Sequence, residues 1–430
     1  MNPVVHTPDL APAAEARAPS DSPRLLLSAV SALLVGLSLA GCKQPAPTAA
    51  RLTTVAVASA SAPAPAFGQA ISPFGSYLAA RHAESVGDLG SAAEFMAEVV
   101  ASGTAGTALL RQSFAFMTSV GRLDDAANLA ERLIAEGDKS PAPAVLLALE
   151  KALAGNYAAA AAGLEPLPRD GVGKLLMPLL LAWARMGMGE TDSALGTLAA
   201  LGEARSLSPV ILLHAALISD LAGRRDHARV NFEAAAEAAE KSSFRVIEAM
   251  ASFLIRTGDK EKARALVRRF EEEFPGSDIL RPTAERIESG ATVEPLVRSA
   301  REGMAEALFA VAAGLLRQGD DNMALAYSHM ALRLNPDLQV GLLLVAEIQE
   351  KLGRNADAIE SYKRLDADLT FGWESRLRVA TNLSELGRAD EAIAQLEAMS
   401  LERPERHDAL YRLGDVLRNQ QRYAQAVVAY

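Results

Sequence analysis

One spacing governs this chain from about residue 74 to its last residue. Gly87, Gly121, Gly155, Gly189, Gly223, Gly258, Gly319, Gly353 and Gly387 fall at intervals of 34, 34, 34, 34, 35, 61, 34 and 34, and Gln421 takes the next place at the same step. Five positions after every one of these ten residues stands an alanine, from Ala92 to Ala426. Seven positions before, the residue is small in nine of the ten cases, Phe114 being the exception. A glycine that takes the left-handed conformation can cap one helix while a second starts within a few residues. Small residues facing each other then let the two helices approach closely where their ridges cross. The unit is therefore a helical hairpin. Larger apolar residues such as Phe232, Tyr362 and Leu396 fill the space between successive hairpins. Pro275, Pro336 and Pro404, each at the same remove past a turn glycine, stop the second helix. Composition agrees: half of the residues are apolar and aromatics make up only 5%, so the β-branched and aromatic residues that strands prefer are scarce.

A 34-residue period with small residues at the eighth and twentieth places and proline near the thirty-second resembles the tetratricopeptide repeat. The pattern stands out in Leu413-Gly414, Tyr423, Ala426 and Tyr430, and the resemblance covers residues 74–430. Trp183 and Trp373 are the only tryptophans, so first-helix aromatic markers are thin and the version is a divergent one. The resemblance implies an all-α, right-handed superhelical solenoid of about ten hairpins. Repeats one to six occupy 74–275 and repeats seven to ten occupy 302–430, the last incomplete. The long interval from Gly258 to Gly319 holds one normal period and most of another; with Pro282, Gly290 and Pro295 inside it, segment 276–301 is expected to be a degenerate hairpin or a hinge.

The N-terminus carries an address. Leu25 to Leu39 form an apolar run after Arg24, the length of a signal peptide and short of the roughly 20 residues a spanning helix needs. Leu39-Ala40-Gly41-Cys42 resembles the lipobox of bacterial lipoproteins, which implies cleavage of 1–41 and lipidation of Cys42, the only cysteine. Several acyl chains on one residue hold a soluble domain to a bilayer, at about 0.8 kcal/mol for each buried methylene. Lys43 in the next place implies, by the same resemblance, an outer-membrane lipoprotein facing the periplasm. Residues 42–73, rich in Ala, Pro, Ser and Thr, read as a flexible tether with a mean reach of roughly 30 Å.

In tetratricopeptide arrays the first helix of each unit lines the concave side, so partner contacts are expected at positions 13, 10, 6 and 3 before each turn glycine. Unit one offers Phe74, Tyr77, Arg81 and Glu84, and unit four offers Leu176, Leu179, Trp183 and Met186. With Val145, Leu149, Val210, Leu213 and Leu217 these make an apolar stripe through units three to five. Such a stripe is either an open groove for a partner's helix or extended segment, or a surface buried against neighbouring repeats. Units eight to ten are more polar there, with Glu347, Glu350, Asp408, Tyr411, Asp415 and Arg418. The family's carboxylate clamp of Lys and Asn is not matched, because unit one has Tyr77 and Arg81 in those places.

A net charge of −10 argues against a general nucleic-acid binder, and Arg264, Arg268 and Arg269 fit one solvated helix face. No catalytic constellation emerges. Gly173-Lys174 lacks the first glycine and the Ser or Thr of a phosphate loop, and the six histidines are scattered without metal-ligand spacing. The sequence thus predicts a non-enzymatic, membrane-anchored scaffold of the bacterial cell envelope that binds other proteins or peptides, without cofactor, metal, nucleic acid or small-molecule substrate. The alternative, prompted by a chain that stops within a second helix, is the docking or regulatory portion of a longer protein whose catalytic domain lies beyond residue 430.

Overall fold

In a computed structural model the chain is described over residues 72–103, 105–201, 208–239, 243–275, 277, 279–365 and 371–430. The signal peptide, Cys42 and nearly all of the tether lie outside the described residues. Every regular element among the described residues is a helix.

Ten antiparallel helix pairs follow the glycine phasing. Units one to three pair α1 (Pro73–Ser85) with α2 (Leu89–Ala101), α3 (Thr107–Ser119) with α4 (Leu123–Ala135), and α5 (Pro141–Leu153) with α6 (Tyr157–Leu164). Units four to six pair α7 (Gly173–Gly187) with α8 (Thr191–Ala199), α9 (Ser208–Leu221) with α10 (Arg225–Ala238), and α11 (Phe244–Arg256) with α12 (Lys260–Glu273). A lone helix, α13 (Arg281–Ser289), precedes unit seven, which pairs α14 (Ala300–Gln318) with α15 (Asp321–Leu334). Units eight to ten pair α16 (Gln339–Lys351) with α17 (Asn355–Lys363), α18 (Gly372–Glu385) with α19 (Ala389–Glu402), and α20 (Asp408–Asn419) with α21 (Tyr423–Ala429).

The phased residues do the work that their spacing implies. All nine turn glycines have positive φ, between 72° and 89°, and Gln421 takes φ 60° in the tenth turn, the only non-glycine to do so among the described residues. The ten phased alanines are buried, nine of them completely and Ala426 at 3%. The small residues of the first helices are equally covered, with Ala80, Ala182, Ala216, Ala251, Ala312, Ala346 and Ala380 at 0%. Helices α12, α15 and α19 end two residues before Pro275, Pro336 and Pro404, as the restriction on the residue before proline requires. The first helix is capped by Ser72, whose side chain accepts from the Gly75 amide at 3.1 Å.

Among its described residues the interruption holds a single helix. It supplies one nine-residue helix, with Pro282 in its first turn, ended by Gly290 in the left-handed conformation. The chain then runs without helix to Ser299, the N-cap of α14. Ser252 Oγ on α11 donates to the Glu294 carbonyl at 2.8 Å and fastens this strap to unit six. The array therefore continues after the strap in a new position: the hairpin of unit seven folds back onto earlier units, with α14 against α7 and α9 and α15 against α3, α4 and α5.

Candidate functional site

The face that the first helices of units three to five share is where the sequence places the apolar groove, and it is filled. Leu176, Leu179 and Trp183 are completely buried, Leu149, Leu213 and Leu217 are at most 4% exposed, and Val145 and Val210 at most 2%. Helix α14 is what lies on units four and five. A Cβ at Gly303 would overlap the indole of Trp183, so the absence of a side chain there is what lets the two helices meet. Trp183 Nε1 donates to His214 Nδ1 at 2.9 Å across α7 and α9, and the rings meet edge to face at 6.0 Å. Accepting that bond leaves Nδ1 without a proton, and burial pushes the imidazole pKa down to about 3. Trp183 packs against the chain's own seventh unit, and in this conformation none of these buried side chains is open to a partner.

Ionic contacts pin the same interface at both ends. Arg245 on α11 and Glu306 on α14 are both buried and pair two-fold, Nε donating to Oε2 at 3.1 Å and Nη2 to the other oxygen. Burial alone would lower the guanidinium pKa, but Glu306 and Glu248 outweigh it and raise the value net. At the other end Arg333 on α15 reaches Asp124 at 2.6 Å and Glu150 at 3.0 Å, bridging back to units two and three. His329 stands against Gly121, its Nε2 is buried without a hydrogen-bond partner, and burial lowers its pKa to about 4. A cleft of about 360 Å³ remains there, and its charges are largely paired with each other, as in Arg122 with Asp125.

Outside this closed region the expected groove positions differ. Met186, half-buried, accepts a weak contact from Thr191 Oγ1 at 3.6 Å. Tyr77 is half-buried, Arg81 is exposed and paired with Glu84 one turn on, and Phe74 stands 70% exposed. Tyr77 and Arg81 thus sit at one end of the array, apart from the eight buried groove residues. The first helix of unit ten carries the open stretch, whereas α16 and α18 are largely buried. Tyr411 is 65% exposed, stacks edge to face with Tyr430 at 5.8 Å and lies on α20 with Asp415 and Arg418, which pair at 3.0 Å. Glu350 and Glu374 lie further back on α16 and α18 and share Arg378, at 3.1 and 3.2 Å.

Sequence reasoning missed Gly303, Glu306, Arg245, His214 and Arg333. One signal was available: α14 reads AREGMAEALFAVAAGLLRQ and is apolar on every side from Ala307 to Leu316, the mark of a helix enclosed all round. The Arg264 expectation is met in its local form, since Arg264 pairs with Glu261 and Glu288 on a wet face. Among the described residues no group of three or more His, Cys, Asp or Glu is placed to hold a metal ion, and no helix is long and apolar enough to cross a membrane.

Ten phased hairpins stacked side to side define a helical-repeat solenoid. The sequence profile of the tetratricopeptide repeat matches residues 408–430, the tenth hairpin. Among solved structures the chain is similar to Naa15/Naa10 bound to HypK-THB, with 14% identity over 84% of this chain and 64% of that one and a TM-score of 0.35. It is also similar to the tetratricopeptide domain of P58(IPK), with 15% identity over 83% and 91% and a TM-score of 0.23. A tetratricopeptide repeat protein from Parabacteroides merdae ATCC 43184 matches with 17% identity over 60% and 91% and a TM-score of 0.26. The chain spans 64% of the length of the first of these. No curated protein matches it in sequence.

Proposed function

We propose that this chain is a non-catalytic protein-interaction scaffold of the bacterial cell envelope, held to the outer membrane by a lipid on Cys42 and facing the periplasm. The observation that carries the binding role is the contrast along one face of the array: units two to five are sealed by the chain's own seventh hairpin, while the first helix of unit ten presents Tyr411, Asp415 and Arg418 to solvent. A partner's helix or extended segment docks on that open stretch. A solenoid spreads its surface in one dimension, which suits wide, shallow recognition. The anchor rests on Leu39-Ala40-Gly41-Cys42, with a tether of roughly 30 Å leaving the array free to reach its partner.

The test is affinity capture from detergent-solubilised envelopes with the full chain, with Cys42→Ala, and with Tyr411→Ala combined with Asp415→Ala. The expected result is specific co-purification by the parent chain, loss of it in the double variant with an unchanged far-ultraviolet circular dichroism spectrum, and release of Cys42→Ala into the soluble fraction. Equal capture by the double variant sinks the binding surface, and a Cys42→Ala protein that stays membrane-bound sinks the anchor.

A further inference from the structure

The stacking of hairpin on hairpin is broken once. In units one to six each second helix lies along the first helix of the next unit, α2 on α3, α4 on α5, α6 on α7, α8 on α9 and α10 on α11. The same order resumes with α15 on α16, α17 on α18 and α19 on α20. Helix α12 instead lies along α13, and the strap from Ala291 to Arg298 carries the chain to α14 without a helix. Units one to six and units seven to ten are thus two stacks. They meet through the strap and through one interface, in which α14 covers α7 and α9 while α15 covers α3, α4 and α5.

His329 on α15 stands in that interface, against the turn of unit two. A Cβ on Gly121 would fall 2.9 Å from its Nδ1, so the ring fits there only because the turn carries no side chain. The Ser119 carbonyl takes the proton of one ring nitrogen, and Nε2 is buried without a hydrogen-bond partner. A second proton therefore has to go on Nε2, where neither water nor an acceptor meets it. From unit eight Arg354 and Arg364 face the ring, and both repel a positive imidazole. The carboxylates nearby are engaged: Asp125 is held by Arg122 of its own unit, and Asp124 and Glu150 are held by Arg333. Burial first, and then the two arginines, push the His329 pKa down to about 4. Parting the stacks takes the turn of unit two away from the ring and lets water reach Nε2.

We propose that the interface between the two stacks is an acid-released clasp, with His329 as its trigger and the strap at 291–298 as its hinge, and that its opening uncovers Trp183 and the face of α7 on which α14 lies. The proposal goes beyond the scaffold reading: the face where the sequence places a partner is occluded by the chain's own α14 at neutral pH and freed in acid. The sign follows from proton linkage. The open form binds the proton with an ordinary imidazole and the closed form does not, so the closed form is favoured above pH 6.5 and loses that advantage as pH falls toward 4. Between pH 7.5 and pH 5 the ratio of open to closed chains is expected to rise roughly thirtyfold.

Trp183 lies in the clasp and Trp373, the other tryptophan, lies on α18, so the full chain carrying Trp373→Phe reports on the clasp alone. Between pH 7.5 and pH 4.5 its emission is expected to move to longer wavelength and to become open to quenching by acrylamide, with the far-ultraviolet circular dichroism spectrum unchanged. Adding His329→Gln is expected to hold the emission at its neutral-pH position over the same range. Adding His407→Gln instead, at an exposed histidine just before α20, is expected to leave the shift as it is. Small-angle scattering of the unsubstituted chain reads the same event without a tryptophan change, as a larger radius of gyration at pH 4.5 than at pH 7.5 with helix content kept. Emission and helix signal that change together mean ordinary acid unfolding and overturn the clasp. So does an emission that stays fixed down to pH 4.5, or a His329→Gln chain that opens as the parent does.

Discussion

Units two to seven and units eight to ten are built from the same repeated hairpin, and they use its inner face in opposite ways. In the first region the inner face is a core: Trp183, Leu176 and Leu179 have no exposed surface, and the strap after α13 delivers α14 onto them. In the second region the same positions carry Glu347, Glu350, Glu374, Tyr411 and Asp415: Glu347 is buried, Glu350 and Glu374 are partly covered, and the face opens on α20, where Tyr411 is 65% exposed. The difference comes from the residues and from the insertion together. An apolar inner stripe leaves too much hydrocarbon in water, and the insertion between Gly258 and Gly319 gives the chain the freedom to bring a later hairpin back over it. A repeat array can thus be closed into a globule over part of its length and stay open at its far end.

The largest expected effect follows from breaking the closed half. Trp183→Ala removes the largest fully buried side chain, opens a cavity against Gly303 and strands the acceptor of His214, for an expected loss of about 3–5 kcal/mol. Tyr411→Ala, at the open end, is expected to change stability by less than about 1 kcal/mol, because its ring is mostly in water already. Urea unfolding of the two variants is the measurement. A loss for Trp183→Ala as small as that for Tyr411→Ala means that α14 does not lie on α7 in solution.

Acid and alkali should separate the two regions next. His214 and His329, with folded pKa values lowered by burial from 6.5 to about 3 and about 4, bind no proton in the folded chain where the unfolded chain does. Their contribution is present above pH 6.5 and is lost as pH falls toward 4 and 3, on the order of 2 kcal/mol per histidine at pH 5. Glu347 runs the other way. Its folded value is raised by burial from 4.5 to about 8, so its contribution is present below pH 4.5 and is lost as pH rises through 8. Unfolding free energies between pH 5 and pH 9 are therefore expected to decline at both ends, with His214→Gln flattening the acid limb only and Glu347→Gln the alkaline limb only. A single variant that flattens both limbs contradicts the separation.

The hairpins themselves were legible because their signal is local and repeated. Each turn needs a left-handed residue, each crossing needs a small one, and both needs recur once in every unit at places such as Gly155 and Ala160. The closure was not legible. Gly303 meets Trp183 from three units further along the chain, and which hairpin returns to which depends on the accumulated turn of the units between them. Trp183 stood out by its size and its place in the first helix, but size alone does not distinguish a residue that waits for a partner from one already covered. Arg245 and Glu306 are harder still, since two charges far apart in sequence on amphipathic helices look like solvated faces until the helices are brought together. The polar positions of units eight to ten were visible in Glu347 and Glu350; the burial of Glu347 was not, because it depends on how the helices of units seven to nine pack together.

The smallest effect sharpens the comparison at the turns, where the two regions ought to behave alike. Nine turns use glycine at positive φ, and Gln421 alone adopts φ 60° with a side chain. That conformation costs a non-glycine residue roughly 1–2 kcal/mol, while glycine gives back about 0.5–1 kcal/mol through the greater freedom of the unfolded chain. Gln421→Gly is therefore expected to stabilise the tenth hairpin by about 0.5 kcal/mol, read as slower amide exchange in α20 and α21 with exchange in α14 unchanged. The reverse change at Gly387, one unit earlier, is expected to cost about as much as the strain it introduces, and a Cβ there meets nothing within 4 Å, so sterics with neighbours do not confuse the reading. Equal exchange in α20 and α21 before and after Gln421→Gly means that the tenth turn is too loosely held to store the strain, and that cooperativity in the open region ends before its last hairpin.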